Sequence, residues 1–290
     1  MMLFVVGFLF HVYGFVLNDC IDIKRDALSR DLAERPIVKG TISLKSGLAV
    51  ALSAIILVGF LCIVIFNFFA FITILVAALL GAIYNVFSKK FIGMDILLGG
   101  SIFFLVLTGS ISTSLSLTTS VLLVALLGGI QVVGMNVIYG GLKDAKHDFL
   151  SGAKTIALYL GVRIDDNHQI RIPRAFMRLS YLLQSIHVSF ALAILVIVMP
   201  KNQFWMMGGF LLLSVLLFHS LASLLALKLY QREKIREKIA YYVASSHILA
   251  VFVMLPIMPF FIALLAILPL AWFFISNIAL YKTLLNPHTQ

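Results

Sequence analysis

Residues 1–26 read MMLFVVGFLFHVYGFVLNDCIDIKRD. Positions 1–17 carry no charge, and as a helix rising about 1.5 Å per residue they would extend about 25 Å, close to the hydrocarbon thickness of a bilayer at about 30 Å. No basic segment precedes this run and no small-residue cleavage site follows it, so it reads as a retained membrane helix and not a signal peptide. The polar stretch Asn18-Asp19-Cys20-Ile21-Asp22-Ile23-Lys24-Arg25-Asp26 continues the helix without a break. Asn18, Asp22 and Asp26 are four apart and Asp19 is three from Asp22, so on a helix they share a face. Like charges at that spacing repel, and a cation is expected to compensate them.

The rest of the chain extends this reading. Of 290 residues 62% are hydrophobic and the mean hydropathy is +1.09, values that exclude a soluble globule. Apolar runs long enough to span a bilayer lie at 1–17, 45–66, 69–88, 95–115, 118–140, 178–199 and 205–228. The run 240–283 would reach about 66 Å as one helix, about twice the hydrocarbon core. It is therefore divided near Pro256 and Pro259, and the expected architecture is an all-α bundle of nine membrane helices forming a single domain over 1–290. Cys20 and Cys62 stand apart, which leaves neither a disulfide framework nor a Cys-rich metal site.

Threading the spans alternately gathers 18–44, 89–94, 141–177, 229–242 and the C-terminus on one face. Of the 22 Lys and Arg only Lys201 falls opposite, and all 12 Asp and Glu fall with the majority, Asp95 at the very start of its span. The positive-inside rule makes that face cytoplasmic. The net charge of +10 is then a topology signal and not a nucleic-acid footprint, because the basic residues flank spans and build no solvated basic domain.

A second polar stretch, Tyr139-Gly140-Gly141-Leu142-Lys143-Asp144-Ala145-Lys146-His147-Asp148, again ends a span on that face and again spaces two acids by four. One such stretch could be an interfacial loop neutralised by Lys24, Arg25 and Arg30; two at matching depth ask for more. Mg²⁺ prefers one or two carboxylates with phosphate oxygens and water over a closed protein cage, and Arg or Lys neutralise the remaining phosphate oxygens. The pair of clusters suits a diphosphate held through Mg²⁺.

Asn18-Asp19-x-x-Asp22-x-x-x-Asp26, followed by Glu34-Arg35-Pro36-Ile37-Val38-Lys39-Gly40, resembles the first signature of the UbiA family of intramembrane prenyltransferases. Asp144-x-x-x-Asp148, preceded by Tyr139-x-x-x-Lys143 and followed by Gly152-Ala153-Lys154-Thr155, resembles the second. Between them Tyr84-Asn85-Val86-Phe87-Ser88-Lys89 is similar to the family's Tyr-Ser/Thr-x-x-x-Lys turn, with Asn85 in place of the hydroxyl residue. The match in order and spacing runs to about residue 175. It implies a prenyl diphosphate bound with Mg²⁺ in the membrane and a prenyl group passed to a lipophilic acceptor. Asn18, Asp22 and Asp26 match the first metal motif, with Asp19 in support, and Asp144 and Asp148 match the second. Arg35, Lys89 and Lys143 match diphosphate-binding positions, and Tyr139 stands beside them. The acids Asp19, Asp22, Asp144 and Asp148 are the expected catalytic set. The family usually has a complete helix before the one that leads into the first motif, whereas here the helix leading into the motif begins at Met1, so the family's first helix is expected to be missing from this sequence; Lys39 stands where the family more often has Ser.

The acceptor stays open among quinone-precursor aromatics, a tetrapyrrole and a geranylgeranylglyceryl phosphate. Asn136, Tyr139 and Lys143, three and four apart, are expected to form one polar stripe toward protein or water. His11, seven residues before Asn18, lies on a face compatible with acceptor contact. Two other function classes compete. CDP-alcohol phosphotransferases share Asp19-x-x-Asp22, but keep a Gly after the second Asp and one cluster only, and Ile23 departs from that pattern. A transporter would carry acids near the bilayer midplane or broken helices, and here the acids are interfacial.

Overall fold

The structure is a computed structural model, and it describes residues 2–27, 35–200 and 203–257 together with the single positions 267, 271, 275 and 278. It contains two compact units, Met1–Arg163 and Ile164–Gln290.

In the first unit α1 (Met2–Asp26) carries the acidic stretch as its last two turns, as the uninterrupted sequence requires. A turn over 35–42 leads into α2 (Leu44–Leu61), which ends in a π-helical stretch, Cys62–Phe66. Then come α3 (Phe68–Phe87), α4 (Asp95–Thr113) and α5 (Thr119–Gly134). A second π-helical stretch, Met135–Gly140, joins α5 to α6 (Gly141–Lys143), and the short helices α7 (Ala145–Leu150) and α8 (Ile156–Tyr159) follow.

Helix starts follow capping chemistry. The side chains of Ser43, Asn67, Thr118 and Thr155 accept from the amides of Ser46, Ala70, Val121 and Leu158, satisfying donors that the first helical turn leaves open. Asn67 also donates to the Ile111 carbonyl, 2.8 Å, fastening the start of α3 to the end of α4.

Without water to drive helices together, packing in a bilayer rests on close backbone approach and interhelical hydrogen bonds. Both are present. Gly99 and Gly129 bring α4 and α5 into backbone contact, since a Cβ at either would lie 2.9 Å from the carbonyl oxygen of the other. Tyr13 donates to the Ala78 carbonyl at 3.0 Å, Asn85 to Gly14 at 3.2 Å and Ser101 to Ala77 at 2.8 Å. Val6, Phe10 and Tyr13 of α1 join Ala54 and Val58 of α2 and Ile74 and Ala77 of α3 in a core. The opposite face of α1 exposes Phe4, Phe8 and Phe15, and such a face suits lipid.

In the second unit the turn after β1 (Arg163–Ile164) is closed by the His168 amide donating to Asp165, and β2 (Ile170–Arg171) precedes α9 (Arg174–Val198), α10 (Trp205–Leu225) and α11 (Arg232–Met254). A buried polar chain links two of these helices: Tyr242 donates to Gln184, whose amide meets His187 Nδ1 at 3.2 Å. His187 is thus a packed histidine.

Among the described residues seven helices are long and apolar enough to cross a membrane. The chain is an integral, multi-pass membrane protein. The run expected to begin at 240 begins at Arg232, because its charged first turns are already helical, and α11 stops at Met254, two residues before Pro256. That stop fits the bias against helix ahead of proline. The second helix expected from 240–283, and Lys201 opposite the basic face, lie outside the described residues.

Candidate functional site

The acidic end of α1 is closed by an arginine from outside the helix. The turn after Arg35 folds back through Lys39 N–H to the Arg35 carbonyl, 2.8 Å, and Ile42 N–H to the Pro36 carbonyl, 3.1 Å. Gly40 allows this with φ of +79°, a value that costs other residues. Ile37 from this turn packs against Gly47 of α2. So held, Arg35 places one guanidinium nitrogen, Nη1, 2.6 Å from Asp19 Oδ1 and 2.9 Å from Asp26 Oδ2. Asp26 is 6% exposed, so its carboxylate is held out of solvent while Arg35 stays a third exposed. Asp22 pairs with Arg25 of its own helix at 2.8 Å. The cation that the acidic face required is supplied twice, and Arg35 is the one that spacing along α1 does not give. Asn18 stands half-buried one turn ahead of Asp22. Glu34 lies outside the described residues.

The second cluster is built around Asp148, 2% exposed. Lys89, at the end of α3, donates to both its oxygens, 2.8 and 3.0 Å. The segment Gly152-Ala153-Lys154-Thr155 accounts for this meeting. The Gly152 amide donates to Phe149 and the Ala153 amide to Asp148, the paired bonds that close a helix through a left-handed residue, here Gly152 with φ of +68°. The next amide, Lys154, donates to the Lys89 carbonyl at 2.9 Å, pinning the α7 end to the α3 end. Burial pushes the Asp148 carboxyl above the usual carboxylate range, and the Lys89 ammonium pulls it back down. Lys143 lies 3.6 Å from Asp144 Oδ2.

A cavity of about 100 Å³ opens here, lined by Tyr84, Ser88, Lys89, Asp95, Asn136, Gly140, Asp144, Asp148 and Thr155 among others. Asn136 donates to the Tyr84 hydroxyl at 3.2 Å. The Tyr84 hydroxyl lies within electrostatic range of Asp22 as well as of Asp95, Asp144 and Asp148. Asp22 of the first cluster and the acids of the second thus lie near the same tyrosine within the first unit.

Several expectations need adjusting. Tyr139 is 7% exposed and does not line the cavity. From this helix the cavity takes Asn136, Gly140 and Asp144 and not Tyr139 or Lys143, because the π-helical stretch, with the Gly141 amide reaching the Asn136 carbonyl, shifts the phase of the helix. Asn85 turns to Gly14 on α1 and not to the cavity. His11 is exposed, its ring 5.4 Å from that of Phe15. Asp95, Ser88 and Thr155 line the cavity and were not singled out as site residues. For Asp95 the signal was its position at the head of a span; Ser88 and Thr155 stand inside the Tyr84–Lys89 and Gly152–Thr155 motifs, but nothing local gave either hydroxyl a role.

The donor set is hard oxygen, and the cavity lining carries three carboxylates, Asp95, Asp144 and Asp148, against the single ammonium of Lys89. That imbalance suits a divalent cation. Among the described residues no three Asp, Glu, His or Cys side chains converge to enclose one, so Mg²⁺ would need phosphate oxygens and water to complete its coordination, the arrangement it favours.

The model of the UbiA prenyltransferase family matches residues 1–242. No curated protein matches the chain. Among solved structures, it is similar to an apo UbiA homologue from Aeropyrum pernix K1, with TM-score 0.63, 16% identity and 88% of each chain covered. It is also similar to a UbiA homologue from Archaeoglobus fulgidus bound to GPP and Mg²⁺, with TM-score 0.57, 16% identity and 86% of each chain covered. A structure described for digeranylgeranylglyceryl phosphate synthase in membranes aligns with TM-score 0.60 and 20% identity over 91% of this chain and 84% of that one. Identities this low speak for a shared fold.

Proposed function

Because the chain belongs to the UbiA prenyltransferase family, we propose that it transfers a prenyl group from a polyprenyl diphosphate to a lipophilic acceptor, with Mg²⁺, at the acidic end of its first unit. The observation that carries this reading is the pair of acid clusters in the first unit, each already in contact with a cation that suits a phosphate: Arg35 on Asp19 and Asp26, Lys89 on Asp148. The homologue bound to GPP and Mg²⁺ supports the choice of ligands.

Asn18, Asp22 and Asp26 would hold metal on one side, and Asp144 and Asp148 on the other, with Asp19 anchoring Arg35. When bound, Mg²⁺ withdraws charge from the diphosphate and makes it a better leaving group. The protein groups act on the same charge. Cleavage of the allylic C–O bond sends its electron pair to the diphosphate, and Arg35, Lys89 and Lys143 stabilise the oxygens on which negative charge grows. The acceptor's nucleophilic atom then bonds to the allylic carbon and gives up a proton. Water is kept from the cation by the apolar helices around the prenyl tail. Tyr84, fixed by Asn136, orders the space between the clusters. By the positive-inside rule the site faces the cytoplasm.

Membranes containing the protein, given labelled geranyl diphosphate and a panel of an aromatic quinone precursor, a tetrapyrrole and a geranylgeranylglyceryl phosphate, are expected to prenylate one acceptor. Transfer should stop on chelation and return with Mg²⁺, and should fall about 100-fold in Asp22→Asn and in Asp144→Asn. Undiminished turnover in either variant, or full activity after chelation, overturns the proposal.

A further inference from the structure

We propose that Arg35 and Lys89 are internal counter-ions which bar the two acid clusters to a bare divalent cation and yield them only when a diphosphate arrives. Metal and diphosphate then bind as a coupled pair. This rests on the prenyl diphosphate reading above and adds an order of affinity to it.

The geometry is specific. A single nitrogen of Arg35 bridges Asp19 and Asp26, carboxylates two helical turns apart, at 2.6 and 2.9 Å, and Lys89 covers both oxygens of Asp148 at 2.8 and 3.0 Å. Of the three acids thus engaged, Asp26 and Asp148 are buried. A dication entering alone must take these oxygens from the cation that holds them, leaving that cation with one anion fewer, and must then sit beside it. Both effects oppose binding, and the low-dielectric surroundings of buried groups strengthen them. A diphosphate reverses the balance. Its oxygens offer Arg35 a planar two-point partner and Lys89 a compact one, so each cation exchanges a carboxylate for a phosphate and the released carboxylate turns to the metal. Arg35 can make that exchange because it reaches α1 from the separate turn at 35–42 and is a third exposed. Lys89 can make it because its ammonium lines the same cavity as Asp144 and Asp95. By linkage, whatever factor diphosphate contributes to metal affinity, metal returns to diphosphate affinity.

The test uses the whole chain in detergent, with Mn²⁺ followed by loss of its free-ion paramagnetic signal and methylene diphosphonate as a diphosphate that does not cleave. After allowance for chelation in solution, Mn²⁺ affinity in the wild type is expected to rise by at least about tenfold when the diphosphonate is present. In Arg35→Gln, Mn²⁺ alone should bind more tightly than to the wild type and the enhancement should shrink; Arg35→Lys, which keeps the charge, should keep the barrier. Equal Mn²⁺ affinity with and without diphosphonate in the wild type overturns the inference while leaving the prenyl diphosphate site standing. Unchanged metal-only affinity in a folded Arg35→Gln also overturns it. If neither Mn²⁺ nor diphosphonate binds the wild type, the underlying reading falls and the inference with it. The wild-type comparison decides the matter even where the variant does not fold.

Discussion

Lys89 and Asp148 are 59 residues apart in sequence and 2.8 Å apart in space. Because Asp148 is 2% exposed and Lys89 about a quarter exposed, removing the ammonium leaves a buried carboxylate with its desolvation uncompensated. We expect Lys89→Met to destabilise the first unit by about 2–3 kcal/mol, at the lower end for a broken buried pair because one partner is partly solvated. The added Asp148→Asn should recover part of that loss in a double-mutant cycle read by thermal unfolding in detergent. The pH dependence has a definite sign. Burial already raises the folded-state pKa of Asp148 and Lys89 opposes the rise, so in Lys89→Met the folded value stands still further above the unfolded value of about 3.9. Below that unfolded value the carboxyl is protonated in both states and the variant's deficit is small; the deficit grows as pH rises from the wild-type folded value to the variant's higher one and is level above it. A deficit that shrinks with rising pH would contradict this account. The acidic residues of both clusters were legible in the sequence from their four-residue spacing. Which cation meets which acid was not, since ion pairing across 9 or 59 residues has no local signature.

At the scale of elements, the crossing of α4 and α5 depends on two residues without side chains. A Cβ at Gly99 would meet the Gly129 carbonyl oxygen at 2.9 Å and Val133 Cγ2 at 2.5 Å, whereas one at Gly109 on the same helix would meet nothing within 4 Å. Gly99→Ala should therefore lower the unfolding free energy by about 1–3 kcal/mol through overpacking, while Gly109→Ala should be neutral or slightly stabilising. Comparable melting of the two variants would show that the helices separate at no cost. Asp95 stands at the head of α4, so a crossing forced apart should also disturb the cavity, and activity is expected to fall in the first variant only. The π-helical stretch Met135–Gly140 shows where element-level reading reaches its limit. Ordinary helical spacing groups Asn136 with Tyr139 and Lys143, but one wide turn regroups Asn136 with Gly140 and Asp144. Hydrophobic periodicity carries no mark of such a turn, because it assumes one constant number of residues per turn.

For the molecule as a whole, the charges that flank the spans are expected to set its orientation. With Lys201 as the exception among 22 basic residues, the loops holding Lys39 and Asp166 should face the cytoplasm. Single cysteines introduced at Lys39 or Asp166 are expected to react with a membrane-impermeant maleimide only when the cytoplasmic face is opened. The natural Cys20 and Cys62 are buried and should give little background. Labelling from the outside would reverse the topology and move the proposed site to the other face. The second unit adds its own polar core, Tyr242 to Gln184 to His187, between helices whose sequences read simply as apolar spans.

The sequence by itself determined that this protein lives in a bilayer, roughly where its helices run, that its acids gather in two spaced clusters, and that those clusters resemble one family of enzymes. These properties are local or periodic, so hydropathy, charge and spacing suffice to express them. Only the tertiary structure decided that Arg35 would bridge Asp19 and Asp26, that Lys89 would cover Asp148, that Asp95 would join the cavity and that Tyr139 would leave it. Each of those depends on where separate helices and turns come to rest against one another, and that is settled by glycine crossings, interhelical hydrogen bonds and a single wide turn whose consequences appear far from the residues that make them.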